Sequence, residues 1–164
     1  MDALVRPIIA LHGVSNRILA TGIGDLTDQS ANARSRGGAG PSIAWTIGHL
    51  CHYKITMLGL LGHPRENPFT AQFEPTQASD GSDYPPLADL AASYAALSGE
   101  VSAALASSDD RLEAPMPGGG LHDEKRVLDT VLFLTWHEAY HIGAIGAIRR
   151  EQGHKAIAEL VRSA

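Results

Sequence analysis

Residues 132–150 read LFLTWHEAYHIGAIGAIRR, from Leu132 to Arg150, and carry His137 and His141 four positions apart. A helix turns about 100° per residue, so positions i and i+4 stack on one face, and two imidazoles placed there reach a single metal ion. The two histidines share that face with Leu134, Ile145 and Ile148, so imidazoles stand where apolar side chains are expected. With Val127, Leu128, Val131, Leu132 and Ile142, the segment is apolar almost all round, which predicts a central helix over about 123–152, closed by Gly153.

Upstream of this helix the same period recurs. Leu4, Ile8, Leu11, Ile18 and Leu19 predict a first helix over about 2–21, with Gly22 and Gly24 as stop signals. Residues 25–40, ending in RSRGGAG, supply turn residues and no packing face, and read as a long exposed loop. Pro41 suits a first helical position, and Ile43, Ile47, Leu50, Ile55, Leu58 and Leu61 carry a second helix to about 61. The stretch 62–86, GHPRENPFTAQFEPTQASDGSDYPP, is too rich in Pro and Gly for a regular element and reads as a crossover between distant bundle ends, a kind of connection that often borders a functional cleft. Leu87, Leu90, Tyr94, Leu97, Val101 and Leu105 give a third long helix from about 86, and a short helix over 155–161 ends the chain. No strand-like alternation and no internal repeat appears, so the expected fold is all-α, a four-helix bundle in one domain spanning 1–164.

Composition narrows the function. At 164 residues a single domain buries roughly 70% of its unfolded surface, and 44% hydrophobic with 19% charged residues is ordinary for a water-soluble globular protein. A net charge of -5 without a Lys/Arg cluster argues against nucleic acid as a partner. No apolar run approaches the ~20 residues of a membrane span, and the first residues lack the layout of a signal peptide. One cysteine, Cys51, excludes an internal disulfide framework and fits a reducing cytoplasm.

Two histidines rarely suffice for a metal, and the other histidines divide by setting. His49, in WTIGHL on the second helix, can face the pair across a bundle; His52, one turn on, competes for the same role, and His12 on the first helix is a further candidate. Periodicity does not separate them. His63, His122 and His154 lie in or beside turn-rich segments, are expected to be exposed, and are given no metal role. Cys51 lies about 200° around the helix from His49 and is expected to be a packed thiol rather than a nucleophile. Three neutral imidazoles leave the +2 charge of a bound ion uncancelled, a donor set that polarises a bound water and reads as catalytic rather than structural.

HEAYH also matches the zinc-protease pattern H-E-x-x-H, in which Glu138 activates water. The extended form of that motif needs Gly and His where this chain has Ala144 and Ala147; Glu151 and Glu159 are poor downstream ligands near the chain end, and no strand is present to align a peptide. A protease is therefore the weaker reading. Glu138 stands as a candidate general base or as an ion-paired neighbour of the site. Trp45 and Tyr140, close to the histidines, either pack in the core or line the cleft.

Gly48, His49 and Leu50 in the second helix, His137, His141 and Gly143 in the fourth, and Arg149 before Gly153 together resemble the DinB/YfiT-like superfamily over nearly the whole chain. That resemblance implies a four-helix bundle with a long crossover between its second and third helices. It implies a divalent metal, zinc or nickel, on His49, His137 and His141, favouring His49 over His52. It further implies a homodimer acting on a small molecule, either as a hydrolase or as a transferase using a low-molecular-weight thiol such as bacillithiol or mycothiol. Members often carry glutamine after the H-x-G element where this chain has Ala144, which removes one polar contact near the ligands. A metal- or ligand-binding bundle without catalysis is the competing class.

Overall fold

The computed structural model of the chain describes residues 4–74, 83–107, 109–119 and 125–163. Helices account for its regular structure: α1 Val5–Ile23, α2 Asp28–Asn32, α3 Ile43–Leu60, α4 Thr70–Phe73, α5 Leu87–Ala106, α6 Asp109–Leu112, α7 Val127–Glu151 and α8 Ile157–Ser163. The four long members form a ring in which α3 touches α5 and α7, and α1 touches α5 and α7. The expected all-α bundle is present, and its core is made of residues such as Ile47, Leu50, Tyr94, Val101, Val131 and Ile145.

Contacts fix the directions. His12 meets Glu138 and Gly22 meets Arg149, so α1 and α7 run parallel. Cys51 meets Leu90 and Lys54 meets Tyr94, so α3 and α5 also run parallel. A parallel pair cannot be joined by a tight turn, and the segment after α3 must travel back along the bundle before α5 begins.

Several sequence expectations are corrected by local chemistry. Pro41 is not the first helical residue: Ser42 caps α3, its hydroxyl accepting the Trp45 N–H at 3.1 Å, and Ile43 starts the helix. Gly22 does not stop α1; it stays helical because Ile157 of α8 packs where a side chain would project. Gly62 and Gly153 do end α3 and α7 in the left-handed conformation, at φ 96° and 84°. The 25–40 stretch is no bare loop, since Thr27 and Ser30 form a reciprocal cap on α2 and Ala31 is fully buried. The crossover contains α4, whose Phe73 is buried in the core.

The α7 helix is a member of the ring rather than its centre. One of its faces is in solvent, with Trp136 and Tyr140 each 60% exposed and Leu132 48% exposed. Hydrophobicity on all sides of a helix predicts burial only when all sides have neighbours, and here one side has none among the described residues. Among the described residues no helix is long and apolar enough to cross a membrane.

Candidate metal centre

Three of the candidate histidines converge. His49 on α3 and His137 and His141 on α7 each present a ring nitrogen, and these atoms all lie within 4.8 Å of one another. The Nε2 atoms of His49 and His137 are 3.4 Å apart, and those of His137 and His141 are 3.0 Å apart. His49 is buried at the base of the site, and the other two rings are half-buried.

Each ring is held by its surroundings. The Nδ1 of His49 donates to the Phe73 carbonyl at 2.9 Å, which places the proton on that nitrogen and leaves the Nε2 lone pair facing His137 and His141. Trp45 stacks on His49 with centroids 4.6 Å apart, and Tyr53 sets its ring edge-on to both His49 and His137. Phe133 borders His137 and Tyr140 borders His141. The site is thus walled by aromatic rings.

Burial dominates the protonation of the three rings. It lowers His49, takes His137 down to about 4 with help from His49, and takes His141 down to about 3 with help from both neighbours. The imidazoles are therefore neutral near pH 7, the state in which they ligate.

The donor set fits a divalent cation. Zinc–imidazole bonds of about 2.0–2.1 Å in a tetrahedral arrangement set neighbouring nitrogens roughly 3.3 Å apart, which the 3.0 and 3.4 Å separations bracket. With the His49 proton fixed on Nδ1, its Nε2 offers a lone pair, and a cation between the rings would take one lone pair from each of the three Nε2 atoms. The cluster can hold a metal.

The remaining candidates lie elsewhere. His52 binds Asn67 of the crossover, whose amide also donates to the His52 carbonyl. His12 is buried and bonded to Glu138. His63 is exposed as expected, His154 is half-buried rather than exposed, and His122 lies outside the described residues. Cys51 is fully buried against the Leu90 carbonyl. Trp45 is 7% exposed and packs on His49, while Tyr140 lies on the surface at the cleft edge and not in the core.

Glu138 is buried and ion-paired. One oxygen lies 2.6 Å from His12 Nδ1, and the other takes Lys54 Nζ at 2.6 Å and the Tyr94 hydroxyl. Burial alone would raise its pKa, but the His12 hydrogen bond and the Lys54 ammonium outweigh burial and hold the carboxyl at about 2. Sequence reasoning missed Lys54, Tyr53 and Phe73. A lysine five positions after His49 was a visible signal, since it interrupts an otherwise apolar helix face.

A four-helix bundle carrying three convergent imidazoles between two of its helices can hold a metal ion at that point. The chain belongs to the DinB superfamily, whose family model matches residues 10–145 and so spans α1 to most of α7. No curated protein matches the chain. Membership and the histidine cluster together fit a metal-dependent function.

Proposed function

We propose that the chain is a metal-dependent enzyme in which His49, His137 and His141 hold a divalent ion, zinc or nickel, and a low-molecular-weight thiol is transferred to a small electrophile; hydrolysis by water is the second form of the same reading. The carrying observation is the convergence of three neutral imidazoles, one buried and two reaching the surface. A cation bound there supplies Lewis acidity that lowers the pKa of a coordinated thiol or water and makes it nucleophilic near neutral pH.

The chain's own residues orient and shield. Phe73 holds the His49 ring through its carbonyl, and Trp45 and Tyr53 exclude water from one side of the rings. The only cysteine is packed away from the site, so the sulfur nucleophile comes from a cosubstrate. Glu138, with both oxygens engaged, serves in this reading as an anchor rather than as the general base. A cytoplasmic setting suits a small-thiol cosubstrate and the free thiol.

The test is turnover. Zinc- or nickel-loaded protein is screened against thiol conjugation and against ester and amide hydrolysis beside His141→Ala. Conjugation abolished by the substitution supports the transferase; hydrolysis alone supports the second form; full metal loading with no reaction favours a non-catalytic binding bundle.

The macromolecular partner in this reading is a second copy of the chain. Leu4, Leu11 and Val14 on α1 and Leu132, Trp136 and Tyr140 on α7 are 39–60% exposed on the outer side of two parallel neighbours. Together these six residues expose on the order of 600 Å², near the ~800 Å² per partner of a stable interface. The α1 sequence holds no acidic residue, and the one in the 132–147 stretch is the buried Glu138, so two copies meet there without opposed carboxylates. Sedimentation is expected to show a dimer that Leu11→Glu with Trp136→Glu converts to a monomer, and a dimer unaffected by that pair places the interface elsewhere.

A further inference from the structure

Behind the histidine cluster, each long helix sends one polar group to a single point. Glu138 of α7 takes His12 from α1, Lys54 from α3 and Tyr94 from α5, and all four side chains are nearly or fully buried. Glu138 directly follows the candidate ligand His137 in sequence, so this junction sets the rotation and height of α7 where the ligands must meet His49.

Two polar groups in this region have hydrogen-bonding capacity to spare. The Lys54 ammonium lies 2.6 Å from a Glu138 oxygen and over the Tyr94 ring, and one carboxylate oxygen does not occupy all three of its hydrogens. His137 Nδ1 is buried and has no partner among the described residues; with Nε2 on a cation, Nδ1 is the nitrogen that carries the proton. Lys54, Glu138 and His137 line the same small cavity, closed by Leu50, Met57 and Leu134, with a volume of about 10 Å³. That is the room one water requires, and a buried water is held by two to four polar partners.

We propose that one water occupies this cavity, bonded to His137 Nδ1 and accepting from Lys54 Nζ–H, and that Lys54 and Glu138 act through it as positioning residues for His137. The inference rests on the metal reading above for its consequence but not for the water itself. With Nδ1–H anchored, the His137 ring is held with Nε2 toward His49 and His141, the role that carboxylates and carbonyls play behind metal-bound histidines. Phe73 does this for His49 through a backbone atom. His137 receives the same support through solvent.

The test uses the full chain, with folding of each variant checked by thermal unfolding. In the zinc-loaded wild type, the His137 Nδ1–H resonance is expected to be visible and slow to exchange, and a high-resolution crystal structure should show a water within hydrogen-bond distance of His137 and Lys54. Lys54→Met, or Lys54→Met with Glu138→Gln if the single variant does not fold, should shift and broaden that resonance and weaken zinc binding 10–100-fold in a chelator competition. Leu134→Phe, which fills the cavity and leaves the charges in place, should do the same. A dry cavity, or a resonance and zinc affinity unchanged in folded variants, overturns the proposal. Wild-type protein that binds no zinc yet shows the water overturns the metal reading alone.

Discussion

Gly48 and the ring of Phe73 are in such close contact that a methyl group added to Gly48 would fall on the ring itself. The same Phe73 holds the His49 imidazole through its carbonyl. A glycine on α3 thus lets the crossover come near enough to orient the innermost candidate ligand. Gly48→Ala is expected to displace Phe73, destabilise the protein by about 1–3 kcal/mol and weaken zinc binding. Calorimetry and chelator competition measure the two effects; a variant with wild-type zinc affinity would separate the crossover from the site.

His49 and His52 have different partners and should respond differently to substitution. His49→Ala removes a converging nitrogen and is expected to empty the metal site, whereas His52→Ala removes a contact to Asn67 and should leave metal content near that of the wild type. Elemental analysis of tag-free protein decides, and loss of metal in His52→Ala instead would refute the assignment.

Cys51 should be inert. Burial pushes its thiol up to about 12, against an opposing pull from Lys54 and with an added push from Glu138, so almost no thiolate exists near neutral pH. Thiol reagents are expected to label it only as the protein unfolds. Rapid labelling in native buffer would contradict this.

Arg149 is fully buried and forms a two-point ion pair with the part-exposed Asp25, at 2.7 and 3.1 Å. The Arg149 hydrogen bond lowers the Asp25 carboxyl below its ordinary 3.8 despite the opposing effect of burial. Because the folded state holds this proton less tightly than the unfolded chain, the contribution is complete above pH ~4 and is lost as pH falls through the depressed value. Asp25→Asn is expected to cost about 1–2 kcal/mol at pH 7, less than for a fully buried pair because one end is in solvent. The difference from wild type should narrow below pH 3.8 in denaturant titrations; a gap that is constant with pH would show that the ion pair contributes nothing.

The sequence alone revealed much of this molecule because helix period is a local property. The spacing of Leu90, Tyr94, Leu97 and Val101 is the same before and after folding, and so is the four-residue spacing that sets His137 against His141. Partners contributed from far along the chain were not legible. Lys54 shows in the sequence as a charge on an apolar helix face but its partner Glu138 does not show there, and Phe73 acts on His49 through a carbonyl that every residue possesses. Asp25 sits in a segment with the composition of a loop, and only the arrival of Arg149 gives it a role. The exposed side of α7 was misread for the same reason: Leu132 and Tyr140 look like core residues, and nothing local says that no helix among the described residues covers them.

One turn of α7 carries both His137 and the carboxylate on which all four long helices converge. Reaching the native topology and assembling the three-nitrogen grip are consequently a single event. A cation taken up there would meet a grip already shaped, so loading would not require the chain to refold.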